Sequence, residues 1–158
     1  MKMRLPHAFL FLFVIILGSC SQESLDTANI IEAKNAIEVE NELLDIVNVH
    51  RVSLGYTSLE LSLVAYEYAN DHNDYMIATG NLSHDGFSSR ASSIASEVNA
   101  EFVAENVAKD YASALEAFEN WMASTEHKKT MEGNFTHTAV SVKKDSQGNL
   151  YFTQLFYR

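Results

Sequence analysis

Three residues from separate parts of the chain carry side chains suited to meeting one divalent cation: His84 in Ser83-His84-Asp85-Gly86-Phe87, Glu105 in Ala104-Glu105-Asn106-Val107-Ala108, and His127 directly after Glu126. Imidazole nitrogen mixed with carboxylate oxygen is the donor set that zinc accepts. His84 follows Gly80, a helix stop, and so belongs to a loop, where side chains stay available to ligands. Glu105 is a carboxylate in an otherwise apolar stretch. It must lie near solvent or be held by partners, because unpaired burial would drive it to its neutral form. Taken singly, each residue also suits a plain hydrogen-bonding role, and spacing alone leaves that alternative open.

Other chemistries find no support. Beyond the first twenty residues the histidines are His50, His72, His84, His127 and His137, and no two stand four apart around a glutamate as in helical zinc proteases. There is no Gly-rich phosphate loop before a helix and no Gly-x-Ser-x-Gly nucleophile elbow. One cysteine, Cys20, excludes an internal disulfide framework and multi-thiolate metal sites. With 11 Lys and Arg against 21 Asp and Glu, a formal charge of −10, the chain has no basic stripe for phosphates, so no nucleic-acid partner is expected. The 47% apolar and 20% charged content is that of a folded domain.

The elements that must position these residues follow from periodicity. Val39, Leu43, Ile46, Val47 and Leu54 recur at helical spacing before Gly55, predicting a first helix over about 36–54. Thr57 and Glu60 have the form of a capping box, which predicts a second helix from Ser58 or Leu59 to Gly80, with Leu59, Leu63, Tyr66, Tyr75 and Met76 on its buried stripe. A short helix is expected around Ser89 to Ser96. Ser113 and Glu116 cap a third long helix, with Ala114, Phe118, Trp121, Met122 and Thr125 along one face. Thr136 to Val142, a turn at Asp145 to Asn149, and Leu150 to Tyr157 form a β-hairpin, and Phe102 to Ala108 supplies a further strand. The last strand is apolar on both faces, Tyr151 and Leu155 on one and Phe152 and Phe156 on the other, so helices must cover both sides. The expected fold is α/β, a three-layer α/β/α sandwich with a small central antiparallel sheet.

The first twenty residues read as an address. Lys2 and Arg4 precede a ten-residue apolar run from Ala8 to Leu17, too short to span a bilayer and matching the core of a secretory signal. The run ends in Leu17-Gly18-Ser19-Cys20, which resembles the bacterial lipobox, whose cysteine is acylated and becomes the first residue after cleavage. The resemblance implies residues 1–19 as a lipoprotein signal peptide, lipidation at Cys20, residues 20–37 as a tether and 38–158 as the folded domain. It also implies a membrane partner through the lipid anchor, and a place in the cell envelope or among secreted proteins.

A second resemblance covers about residues 38–158. Val47-Asn48-Val49-His50-Arg51 with Gly55; Leu59, Leu63, Ala69, His72 and Met76; Ser83-His84; Glu105-Asn106; Trp121, Ser124 and His127; and Thr153-Gln154-x-Phe156 follow one another in the order found in the superfamily of cysteine-rich secretory proteins, antigen 5 and pathogenesis-related class 1 proteins, the CAP or SCP domain. That resemblance implies an α/β/α sandwich with an open cleft, where His84, Glu105 and His127 match three of four groups able to hold a divalent cation such as zinc. The fourth, usually acidic, falls on Ser124, with Glu126 close by. Ala104 before the glutamate, Lys128 after the histidine, and Ala139 and Ser141 in the strand also depart from the family pattern. Asn48 and Arg51 are expected to fix the first helix to neighbouring backbone, His72 to be a structural histidine, Asn106 to orient the loop bearing Glu105, and Trp121 to sit in the core.

Three functions remain open on these residues. One is an envelope-anchored binding protein whose cleft takes a cation, a small lipid or a peptide. The others are a metal-assisted hydrolase with Glu105 as base, and a structural envelope protein with a vestigial cleft. The reading leans away from an enzyme, assigns no catalytic residue, and gives Asn106, Ser124 and Glu126 supporting places around the cleft.

Overall fold

The structure, a computed structural model, describes residues 33–158. Cys20 and the signal segment lie outside the described residues. The chain enters through β1 (Lys34–Asn35) and turns directly into α1 (Ile37–Ser53), which ends at Leu54 and Gly55. Gly55 holds φ +85°, a left-handed conformation that disfavours any side chain. Then come β2 (Glu60–Leu61), α2 (Leu63–Thr79), α3 (Phe87–Val98), β3 (Val103–Lys109), α4 (Ala114–Ala123), α5 (Thr125–Met131), β4 (His137–Lys144) and β5 (Leu150–Tyr157).

The sheet runs in the order β1-β4-β5-β3, all antiparallel, and β2 adds a two-residue parallel pairing to β4. Val140, Val142, Phe152 and Phe156 face a core shared with Leu43 and Val47 of α1, Trp121 of α4 and Met131 of α5. The alternate residues Ala139, Leu155 and Tyr157 pack on Ala65 and Ala69 of α2 and Ile94 of α3. Helices therefore cover both faces, and the expected three-layer sandwich is what the chain adopts.

Three local expectations are corrected. First, α2 starts at Leu63, capped by Ser62 Oγ accepting from Ala65 N at 3.2 Å, because Glu60 and Leu61 are drawn into backbone pairing with His137 and Thr138 instead of starting the helix. This rotates the buried stripe to Ala65, Ala69, His72, Asn73 and Met76, and leaves Leu63 and Tyr75 exposed. Second, the helix opened by Ser113 breaks at Ser124, whose extended backbone (φ −94°, ψ 122°) closes α4 and opens α5. Third, Lys34 to Ile37, read from sequence as tether, are built into the fold. Lys34 and Asn35 pair with Lys144 and Lys143, Ala36 N donates to Val142 O at 2.8 Å, and Ile37 begins α1.

Candidate functional site

Glu105 comes from β3, the strand at one edge of the sheet, and its side chain is only 1% exposed. A strand directs alternate residues to opposite faces, so Glu105 points toward α2 and α3 while its neighbour Asn106 points toward α5. The apolar setting of Glu105 is thus the sheet itself and not a loop, and burial makes partners obligatory.

Those partners are all found. His84 Nδ1 lies 2.8 Å from Glu105 Oε1. An ionised carboxylate only accepts hydrogen bonds, so His84 carries its proton on Nδ1, and in the neutral ring Nε2 is left with a free lone pair. Arg90 of α3 donates from Nε to Glu105 Oε2 at 2.8 Å, and its Nη2 stands 2.6 Å from the same oxygen without an aligned hydrogen bond. His72 of α2 brings Nε2 to 3.9 Å from Oε1, but donates it to the Ser83 carbonyl at 2.8 Å, which ties the His84 loop to α2. Burial holds the His72 imidazole below its ordinary pKa, against the pull of Glu105. His72 is structural, as expected, yet it is also a wall of the site.

His127 lies in the first turn of α5, half-buried, with its ring centroid 6.4 Å from that of Trp121. Its pKa is lowered, first by burial and then by the charge of His84, so the two imidazoles feel one another. Asn106 Nδ2 donates to the His127 carbonyl at 3.1 Å. Its effect is thus to fix the start of α5 and not a loop around Glu105. Asn106 Oδ1 and Gln154 Oε1, cross-strand neighbours on β3 and β5, are both buried without a partner.

The two remaining predicted residues part company with this cluster. Ser124 is the hinge between α4 and α5 and makes no side-chain cap. Glu126 is exposed and faces a separate recess of about 400 Å³, lined with Phe102, Lys129, Phe135 and Arg158. Trp121 is a core residue, 2% exposed, and its Nε1 donates to Val107 O at 3.1 Å on β3.

Arg90 was missed in the sequence because it sits in a Ser-rich helix without a motif. One signal was present: it is the lone Lys or Arg between Arg51 and Lys109, on the element facing a carboxylate that must be paired.

A family model described as the cysteine-rich secretory protein family, CAP, matches residues 44–156. The chain belongs to the CAP family. It is 30% identical over 125 residues to the uncharacterized membrane protein YlbC of Bacillus subtilis, a match that covers 75% of this chain and 34% of that protein, so the chain spans about a third of that relative's length. Among solved structures, an outer surface protein of Borrelia burgdorferi superposes with a TM-score of 0.72 at 15% identity, covering 80% of this chain and 96% of that one. An extracellular protein of Bacillus anthracis containing an SCP domain gives 0.66 at 21% identity, over 77% of this chain and 41% of that one.

Among the described residues no three His, Cys, Asp or Glu groups converge as a ready metal site. Glu105 has 1% of its side chain exposed, with the Arg90 guanidinium against one oxygen and His84 bonded to the other, so it does not fit as a direct ligand while that arrangement holds. What fits is narrower: His84 through Nε2 and His127 as ligating groups, with Glu105 behind His84 as the outer carboxylate that fixes its tautomer. In this CAP domain a bound divalent ion would supply Lewis acidity beside those two rings.

Proposed function

We propose that this CAP domain is an exported, non-catalytic binding module of the bacterial cell envelope. Its cleft receives a ligand at Nε2 of the half-exposed His84 and at His127, a zinc-class cation being the first to test. The observation that carries the reading is the double engagement of Glu105. A carboxylate with 1% of its side chain exposed, paired with Arg90 and bonded to His84, is screened from water and held in its charge-paired state, which weighs against a general base for metal-assisted hydrolysis. The same buried ion pair argues against a vestigial cleft, since an apolar replacement would be at least as stable and needs no exposed imidazole in front of it.

Export is supported by the apolar run ending in Cys20 and by the membrane, outer-surface and extracellular descriptions of the relatives. We read Cys20 as the acylated residue. Replacing it by serine should abolish labelling of the cell-expressed chain by a fatty-acid analogue, and labelling that persists sinks this part.

Calorimetric titration of zinc into the full detergent-solubilised chain tests the cleft, with Cys20→Ser as background to remove the thiol. Heat that disappears in both His84→Ala and His127→Ala supports the reading. Heat that survives either change, or no heat at all, overturns the cation as ligand.

A further inference from the structure

Glu105 is a carboxylate with 1% of its side chain exposed, and its environment must supply positive charge. Three groups touch it. His72 is buried, spends its Nε2 hydrogen on the Ser83 carbonyl and stands 3.9 Å from Glu105 Oε1. His84 is 51% exposed and gives Glu105 a single hydrogen bond. Arg90 brings a guanidinium cation to 2.6 Å from Glu105 Oε2, and its side chain is 10% exposed. Its Nε and Nη2 both converge on Oε2, while Nη1 is 3.3 Å from the Asp85 carbonyl, so the guanidinium is pinned between strand and loop.

We infer that Arg90 is the cleft's resident cation: its guanidinium takes the place beside Glu105 that a divalent ion would otherwise fill, and so keeps Glu105 out of the set of groups able to ligate. Glu105 is thereby held as the counter-charge of Arg90 behind His84 and not as a ligand beside it. A recess of about 440 Å³ between α2 and α3, lined by Asp71, His72, Tyr75, Asp85 and Arg90, borders the guanidinium. Arg90 is a positioning residue, since it acts on any ligand only through Glu105 and, behind it, His84.

The inference shares its site with the proposed function but has a separate test. In the full chain with Cys20→Ser, Arg90→Ala is expected to bind zinc roughly tenfold or more tightly than the parent, the scale of one coordinating or orienting group. Arg90→Ala combined with Glu105→Gln should lose that gain, and Arg90→Lys, which keeps a cation, should not show it. If Arg90→Ala fails to fold alone, zinc should restore its cooperative thermal transition, and the double variant should fold without zinc. Affinity unchanged in a folded Arg90→Ala, a gain that survives Glu105→Gln, or an unfolded Arg90→Ala that zinc does not rescue overturns the inference. A parent without zinc heat counts against the proposed ligand alone, because the Arg90→Ala arm still decides whether Arg90 closes the site.

Discussion

Arg51 of α1 donates through Nη1 to the carbonyl of Met131, 2.6 Å away at the end of α5. The same guanidinium serves the carbonyls of Gly133 at 2.9 Å, Phe135 at 3.3 Å and Thr57 at 3.1 Å, and the residue is 1% exposed. One side chain thus holds the irregular segment after α5 against α1. Gly133 belongs to that segment because a Cβ there would stand 2.5 Å from the Phe135 ring. Arg51→Ala strands several buried acceptors and is expected to cost about 3–5 kcal/mol, with Arg51→Lys recovering part of it. Urea denaturation should show the loss as a lower midpoint at unchanged slope. A loss below about 1 kcal/mol would mean that water replaces the guanidinium freely.

Asn35 closes a second knot. Its Nδ2 meets Glu40 Oε1 at 2.8 Å, Tyr66 Oη at 3.0 Å and Asn70 Oδ1 at 2.6 Å, while Val142 N donates to Glu40 Oε1 at 2.9 Å. A chain beginning at Glu38 lacks β1 and leaves Glu40 short of a donor. It should be about 2–3 kcal/mol less stable than a chain beginning at Ala33. Equal denaturation midpoints for the two would show that Lys34 to Ile37 add nothing to the fold.

Tyr66 lies in that knot, donating to Glu40 Oε2 at 2.8 Å, and its phenol is pushed up to about 12 by burial and by Glu40. In the unfolded chain the phenol ionises near its ordinary value of 10.0, so its contribution to stability is complete below that pH and is lost as pH rises toward the folded value. Unfolding free energy should fall between those limits, and Tyr66→Phe should flatten the fall. An identical slope in the variant would assign the alkaline loss to other groups.

Acid should act through His72. Its folded pKa is depressed below the ordinary 6.5, chiefly by burial, with Arg90 and His84 opposing protonation and Glu105 favouring it. Below the unfolded pKa the unfolded chain takes up the proton first, so stability present at neutral pH declines as pH falls from about 6.5. His72→Gln should keep a donor for Ser83 O and remove that part of the acid sensitivity. Stability curves from pH 7 to 5 that run parallel in parent and variant would refute the assignment.

The fold was legible because its signals are local. The Ser113–Glu116 cap forms, with Ser113 Oγ accepting from Glu116 N at 3.2 Å, and the last strand's two apolar faces called for two helical layers. Thr57–Glu60 misled because a capping pattern competes with strand pairing to β4, a partner about 80 residues away that no short window can see. His84 and Glu105 were legible as a site, and the structure brings them into contact. Arg90 was not, because an ion pair between a helix and a strand edge leaves no spacing rule in the chain. Glu126 looked close to the cleft only by number. One helical position rotates a side chain by about 100°, which turns Glu126 from the direction of His127 toward the recess it shares with Lys129.

In the strand order β1-β4-β5-β3, the chain's entry and the Glu105 strand occupy opposite margins of the sheet. Three inter-strand steps separate them, about 14 Å. A change confined to the β1 margin, such as loss of Asn35, should therefore leave the hydrogen bonds of Glu105 in place at the other.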